Sequence, residues 1–186
     1  MSDESNTALR ERLDALIGQP ISTGQPVKAP DPVNAAMIRH WAHALSDFNP
    51  PAYLDQEFAT TSRYGALVSP PVMLQSWTMA PPKLEGIHDR GGVPPSSSAR
   101  TPLQFLADAG YTGIIATNSE FEIERYPRVG EEISAETVFE TISDEKKTAM
   151  GGTGFFVTWI TTYRNQDGEL IGRQRFRTLR FKSARR

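Results

Sequence analysis

Cysteine is missing from the 186 residues. Without a thiol the chain has no disulfide framework, no thiolate nucleophile and no Cys-rich metal site. Histidine is scarce as well, with three in the whole chain. His40 and His43 are three residues apart on one predicted helix, but no acidic residue or further histidine stands at a spacing that would complete a metal site. Surface or packing roles, and no bound metal, are therefore predicted.

Excess charge and long apolar runs are also missing. A net charge of -2 does not indicate a basic surface of the kind that binds polyanions, which argues against a nucleic-acid partner. No apolar run approaches the roughly 20 residues of a membrane span, and the start "MSDESNTALRERL" is polar and acidic, unlike a signal peptide. A cytoplasmic protein without a membrane partner is the expectation. Basic residues gather in "RQRFRTLRFKSARR", where a solvated strand face and tail is favoured over an anion-facing strip.

The residues that are present predict a globular chain that begins with helices. A hydrophobic fraction of 38% and a charged fraction of 23% are typical of a single soluble domain. One helix is predicted from Ser5, Asn6 or Thr7 to Gly18, and a second from an Asp31 cap and Pro32 to about residue 46. The apolar stripes of these two helices are Leu9, Leu13 and Leu16, and Val33, Met37, Trp41 and Leu45.

Two further helices follow. In "LVSPPVMLQSWTMAPP", Pro70-Pro71 can begin a helix and Pro81-Pro82 must end it, which leaves about ten residues. This segment is apolar on nearly all sides, so a buried helix is predicted. "TPLQFLADAGY" predicts another short helix, with Thr101 as its cap and Gly110 as its end.

From residue 113 onward the apolar pattern repeats every second residue, which predicts consecutive strands. "RNQDGE" predicts a hairpin between the last two strands, with Asp167-Gly168 in the turn. Helices followed by antiparallel strands indicate an α+β fold, in which one strongly apolar helix is available to cover the sheet. The predicted organisation is an N-terminal helix and Pro/Gly-rich connector over 1–30, one domain over 31–182 and a basic tail over 183–186.

A stretch after the second helix carries a resemblance to a known family. "SDFNPPAYLD", residues 46–55, resembles the hydration motif of MaoC-like dehydratases and R-specific enoyl-CoA hydratases. In that motif an Asp is followed by a spacer, Asn-Pro, an apolar residue and His. The similarity continues in "GALVSPPVMLQSW", which matches the start of the central helix of the hot-dog fold, and in the strands that begin at "RYPRVGEEISAETVFE". It covers about residues 31–182 and implies a MaoC-type hot-dog domain, in which an antiparallel sheet wraps around a central helix.

The resemblance also shows what this chain lacks. Asp47 and Asn49 match the motif, but Ala52 stands where the family has His, and Tyr53 beside it is a poor base at neutral pH. Catalytic members have His-Gly at the start of the central helix, where a backbone N–H stabilises the oxyanion, whereas this chain has Pro70-Pro71, and proline has no N–H to donate. No catalytic residue is therefore expected. Asp47 is at least as well explained as a carboxylate that accepts hydrogen bonds from neighbouring backbone N–H groups.

Within the family, "ADAGYTGIIATNSEFEIERYPRVGE" is similar to the larger subunit of actinobacterial steroid side-chain enoyl-CoA hydratases. This implies a non-catalytic, pocket-forming half of a heteromeric hydratase that acts on the CoA thioester of a steroid (cholesterol) side chain, without a cofactor. The partner would be a small catalytic MaoC-type subunit, in a heterodimer or a dimer of heterodimers. The expected substrate-binding residues are Asp47, Asn49, Tyr53, Ser69, Met73, Trp77 and Met79.

Other assemblies stay open at this point. Larger subunits of this kind usually carry a C-terminal OB-like domain that holds a thiolase-like aldolase, and the sequence ends at Arg186 without one, so that domain is expected to be cut away or encoded separately. The chain would alternatively be a stand-alone acyl-CoA-binding or thioesterase-like homodimer, or the pairing subunit of a hydroxyacyl-ACP dehydratase. The sequence does not separate CoA from acyl-carrier-protein delivery, since both present the same pantetheine arm.

Overall fold

Six antiparallel strands form one sheet, and the helices lie before most of it in the sequence. The computed structural model describes residues 3–22, 25–45, 50–79, 102–149 and 152–182. The strands are β1 (Val27–Lys28), β2 (Gly113–Ile123), β3 (Ser134–Ile142), β4 (Lys146–Thr148), β5 (Gly152–Arg164) and β6 (Leu170–Phe181). The helices are α1 (Asp3–Asp14), α2 (Ala35–Ala44), α3 (Pro51–Leu54), α4 (Gln56–Thr61), α5 (Leu74–Trp77) and α6 (Gln104–Asp108), and a 3-10 turn, Pro71–Met73, leads directly into α5.

The two edges of the sheet differ. The strand order is β1-β3-β5-β6-β2, and β4 pairs with β5. At one edge, β3 is covered by β1 and by the segment after α1, where the Gly18 N–H donates to the Phe139 carbonyl and the Ile21 N–H to the Thr137 carbonyl. At the other edge, β2 pairs with β6 alone among the described strands. All of its residues from 114 to 120 are exposed.

The helices cover one face of the sheet, which we call the inner face. Directly paired residues of antiparallel strands carry their side chains on the same face, so the register assigns every strand residue to a face. At one end of the inner face, α1 and α6 pack Leu13 and Leu106 against Phe139 and Phe155. At the other end, the segment from α2 to α5 forms a second buried cluster with β3, β5 and β6 that includes Ile38, Met73, Leu74, Trp77, Ala135 and Tyr163.

Most of the predicted elements are confirmed. The helix-first order and the strands from residue 113 appear as expected, and Leu9 and Leu13 of α1 are buried. The helix itself runs from Asp3 to Asp14, earlier than the predicted start near Ser5 and end at Gly18, so Leu16 lies after it and is only partly buried. Gly168 has φ +79° in the hairpin between β5 and β6, and its N–H donates to the Asn165 carbonyl. The predicted helix after "TP" is α6, although its proposed cap Thr101 lies outside the described residues.

The start and the buried stripe of α2 correct the prediction. The cap is Asn34 rather than Asp31, because the Asn34 side chain accepts the Met37 N–H at 3.0 Å. The buried residues are Ile38 and Ala42, whereas Met37 is 40% exposed. The helix begins later than predicted, and this shift moves the buried stripe around the helix.

The helix after Pro70-Pro71 is shorter and less buried than predicted. Its 3-10 turn and α5 together end at Trp77, and the expected stop at Pro81-Pro82 lies outside the described residues. Met73, Leu74 and Trp77 are buried, but Met79 is 59% exposed. The prediction of burial on nearly all sides is therefore wrong, because one side of this short helix faces solvent or a cavity. Among the described helices, none has the length and hydrophobicity that a membrane-spanning segment needs.

Candidate functional site

The remnant of the hydration motif continues into α3. Pro51 begins this helix, and Ala52 is buried, with its carbonyl accepting the Val68 N–H at 3.2 Å. The position that would need a basic side chain is thus filled by a methyl group in the core. The two matching residues of the motif, Asp47 and Asn49, lie outside the described residues, so their assignment to substrate binding stays a prediction.

Tyr53 follows Ala52 and does not replace the missing base. Its ring lies 6.5 Å from that of Tyr126, and Tyr126 stacks on Tyr64 at 5.2 Å. Burial, followed by the neighbouring Tyr126 and Tyr64, raises the pKa of Tyr53 to about 12. The phenol is therefore neutral at pH 7 and has little tendency to take up or release a proton.

Ser69 and two prolines form the start of the short central helix. The Ser69 N–H donates to the Pro127 carbonyl at 2.7 Å. Its hydroxyl accepts a hydrogen bond from Trp77 Nε1 at 3.1 Å and donates to the Pro70 carbonyl at 3.2 Å. Since Pro70 and Pro71 carry no N–H, these three positions offer no free backbone donor for an oxyanion.

A cavity of about 220 Å³ opens on the inner face, beyond the end of α5. Met79 and Thr78 lie on its helix side, and Trp159 and Phe176 form an aromatic pair on the sheet with ring centres 5.3 Å apart. Thr161 adds a hydroxyl, which shares a 2.9 Å hydrogen bond with Thr137. The cavity therefore combines apolar ring surfaces with a few hydroxyl and amide groups, as ligand pockets commonly do.

Gln174 fixes the position of α5 over this cavity. Its side-chain oxygen accepts the Tyr163 hydroxyl at 2.9 Å. Its amide nitrogen donates to Gln75 Oε1 and to Ser119 Oγ, each at 3.0 Å. One buried amide thus joins α5 to β2, β5 and β6, which keeps the short helix from shifting along the sheet.

The other predicted substrate-binding side chains occupy different places. Met79 lines the cavity on the inner face, but Met73 and Trp77 belong to the buried cluster beneath the helix. Ser69 is fully buried and bonded within the protein. The residues that the sequence analysis missed are Gln174, Gln75 and Thr161. The signal was present, because Gln174 and Thr178 alternate with the apolar Phe176 in a strand whose other side carries arginines.

A second cavity, about 360 Å³, lies beside the motif remnant, and we call it the arginine–tyrosine groove. Its lining residues are Arg63, Tyr64, Val68, Ile123, Glu124, Arg125, Tyr126 and Arg128. Arg125 is neutralised by Glu131 at 2.6 Å and by Glu169. The Arg63 guanidinium lies 4.8 Å from the Tyr64 ring centre and donates to the Tyr64 hydroxyl at 2.8 Å. An anionic group beside an aromatic surface suits this lining.

The described residues contain no cluster of three or more His, Asp or Glu side chains that could hold a metal ion. His40 and His43 are both exposed on α2. The arginines at 173, 175 and 177 lie on the outer face of β6, and the first two pair with Glu122 and Glu140. The solvated strand face that was favoured for this basic stretch is thus observed at these three positions.

The family is shown by comparison with known proteins. Residues 15–174 match the family model described as FAS1-like, dehydratase domain region. The chain belongs to this family. Its MaoC-like hot-dog fold is shared with a structure described as a MaoC-like dehydratase, which is 20% identical at a TM-score of 0.60, with coverage of 92% of this chain and 44% of that one. That likeness concerns the fold alone, while the recognition of the MaoC-like family from the motif is confirmed.

Two relatives are similar along most of the chain. A probable enoyl-CoA hydratase alpha subunit from Thermomonospora curvata is 42% identical over 92% of this chain and 51% of that protein. The 3-oxo-4,17-pregnadiene-20-carboxyl-CoA hydratase alpha subunit of Mycobacterium tuberculosis is 35% identical over 86% of this chain and 48% of that protein. The chain therefore spans about half the length of these two relatives.

A solved complex offers a structural counterpart. A chain of the ChsH1-ChsH2 complex from Mycobacterium tuberculosis is 32% identical to this one, with a TM-score of 0.77. The match covers 97% of this chain and 94% of that chain. The FAS1-like hot-dog unit described above thus has a counterpart that crystallised in a complex.

Proposed function

We propose that this chain is the pocket-forming, non-catalytic subunit of a heteromeric enoyl-CoA hydratase. The observation that carries the proposal is the buried Ala52 at the position where the motif places its histidine. Hydration of an enoyl thioester needs a base for the water, an acid for the α-carbon and donors for the developing enolate oxygen. Ala52 supplies no base, and Ser69, Pro70 and Pro71 supply no free backbone donor.

The cavity on the inner face supports a bulky acyl group. Met79, Trp159 and Phe176 line the cavity beside α5 and present apolar surfaces suited to a rigid ring system. The similarity to a steroid carboxyl-CoA hydratase subunit favours a steroid side-chain enoyl-CoA as the substrate class. The CoA part fits the arginine–tyrosine groove, where Arg63 and Arg128 offer positive charge for phosphate groups.

The exposed edge strand supports a partner. β2 is 11 residues long, and its outward edge pairs with no described strand. Ile114 is 55% exposed and Ile115 37% exposed. Because a long, unpaired and partly apolar edge promotes association, we infer that a small catalytic MaoC-type subunit covers β2 and completes the active site. An OB-like domain and a thiolase-like aldolase would complete a larger assembly, as the family resemblance implies.

The decisive experiment compares the purified chain with a mixture of the chain and a small MaoC-type hydratase subunit. We expect no hydration of crotonyl-CoA or of a steroid enoyl-CoA by the chain alone, and turnover of the steroid substrate once the partner is added. Absorbance of the enoyl thioester would follow both reactions. Turnover by the chain alone would favour a self-sufficient homodimer and would overturn the proposal.

A further inference from the structure

One of the arginines of β6 lies on the inner face of the sheet. Arg173, Arg175 and Arg177 lie on the outer face, where the first two pair with Glu122 and Glu140 and Arg177 bonds to Asn118. Arg180 pairs directly with Phe155, which belongs to the buried cluster beneath α1 and α6. Directly paired residues share a face, so the Arg180 side chain lies on the helix-covered side.

Arg180 has no acidic partner in the described part of the chain. Its Nε is buried and has no hydrogen-bond partner there. Burial lowers the pKa of the guanidinium, but an arginine of this kind stays charged at neutral pH. A partly buried cation without a counter-charge is unusual, because desolvation is normally offset by pairing.

A second unpartnered group lies next to it on the same face. Thr178 pairs with the buried Val157 and is itself only 5% exposed. Its Oγ1 is buried and has no hydrogen-bond partner among the described residues. Two neighbouring donors thus face the same layer unsatisfied, although buried polar groups are satisfied in the great majority of cases. The two donors of Arg180 and Thr178 would be satisfied by an acceptor that the described residues do not provide.

Both groups lie on the same face of β6 as the cavity wall, beyond the last residue that lines the cavity. Gln174 and Phe176 form its lining on β6, and Thr178 and Arg180 are the next two residues on that face. At about 3.3 Å per residue, Arg180 lies roughly 20 Å along the strand from Gln174. A long, mostly apolar ligand that enters beside α5 and follows β6 would reach these two residues with its far end.

We propose that Arg180 and Thr178 bind a hydrogen-bond-accepting oxygen, a ketone or a carboxylate, at the end of the acyl group remote from the thioester. This proposal rests on the proposed function and adds a specificity determinant to it. The guanidinium would donate from Nε and the threonine from its hydroxyl. A ligand with a plain methylene at that end leaves both donors unsatisfied and would bind less tightly.

The test uses the chain assembled with its hydratase partner and three ring-containing enoyl-CoA thioesters, which carry a ketone, a carboxylate or a methylene at the remote end. Wild-type protein should prefer the ketone or the carboxylate over the methylene by about tenfold or more in kcat/KM. Arg180→Met should abolish the preference without lowering the melting temperature. Thr178→Val should reduce it by about two- to fivefold. Arg177→Met, on the outer face of the same strand, is the matched control and should keep it.

The outcomes separate the two proposals. A complex that hydrates all three thioesters equally, or an Arg180→Met variant that keeps the wild-type preference, would overturn the inference and leave the proposed function intact. An assembled complex that hydrates none of the thioesters would overturn the proposed function, and this inference with it. Whether the ketone or the carboxylate is preferred identifies which oxygen the site accepts.

Discussion

The hydroxyl of Ser69 links the start of the short central helix to its last residue, Trp77. It accepts from Trp77 Nε1 at 3.1 Å, eight residues further on, and both side chains are buried. Trp77 has no second polar atom in its side chain, so the indole N–H depends on this hydroxyl. The bond ties Trp77 to the residue directly before Pro70 and Pro71.

Ser69→Ala should therefore lower the free energy of unfolding by about 1–3 kcal/mol, because the indole N–H is left buried without a partner. Urea denaturation measures this loss. Ser76→Ala, an exposed serine on the same helix, should change the free energy by less than about 0.5 kcal/mol. Equal effects of the two substitutions would show that the Trp77 bond does not stabilise this region.

Single residues also show how far the sequence alone could lead. The missing histidine at Ala52 and the missing N–H groups at Pro70-Pro71 follow from residue identity and a motif, so the sequence is enough to recognise them. The role of Gln174 and the inward position of Arg180 depend on strand register, which only the paired sheet defines. The sequence also suggested Met73 and Trp77 as pocket residues, and the structure places both in the buried cluster, because the side of a short helix that packs inward is decided by tertiary contacts.

At the scale of elements, strands were easier to predict than helix ends. The period of two from residue 113 and the turn at Asp167-Gly168 are local signals, and both appear in the sheet. Asp31 and Asn34 are both of residue types that cap helices, so the sequence does not choose between them. Val33, directly before the Asn34 cap, donates its N–H to the Glu131 carbonyl and accepts the Gly130 N–H, and these non-local bonds hold the chain outside the helix up to Asn34.

The exposed edge of β2 gives a prediction about assembly. Ile115→Lys should weaken association with the catalytic partner at least about tenfold, because a lysine on an edge strand opposes pairing with another strand. The fold should be unaffected, since Ile115 is 37% exposed. Sedimentation of the mixed proteins over a concentration series would measure the change.

The matched control is Ile17→Lys, which alters an isoleucine of similar exposure, 42%, just after α1. Ile17 lies outside β2, so this variant should associate with the partner as the wild-type chain does. If both variants assemble normally, the partner does not bind along β2 and the interface must be placed elsewhere.

At the scale of the whole molecule, the family fold is present in a chain whose motif has lost the histidine of catalytic members. The chain belongs to the FAS1-like dehydratase-region family and builds the hot-dog sheet with a cavity along its inner face. At the motif, the buried Ala52 stands where the family has histidine, and Tyr53 is neutral at pH 7. We therefore propose that this chain provides shape and binding and that a partner carries out proton transfer.

The measurement that tests this division most directly is the turnover number of the assembled complex after Asp47→Asn in this chain. Asp47 is the carboxylate of the motif that the sequence retains. If the chemistry resides in the partner, kcat should stay within about threefold of the wild-type value, whatever happens to KM. Removal of a working general base lowers the rate by roughly 10²- to 10⁴-fold. A loss of that size in kcat, in a complex that assembles and melts normally, would contradict this division of roles.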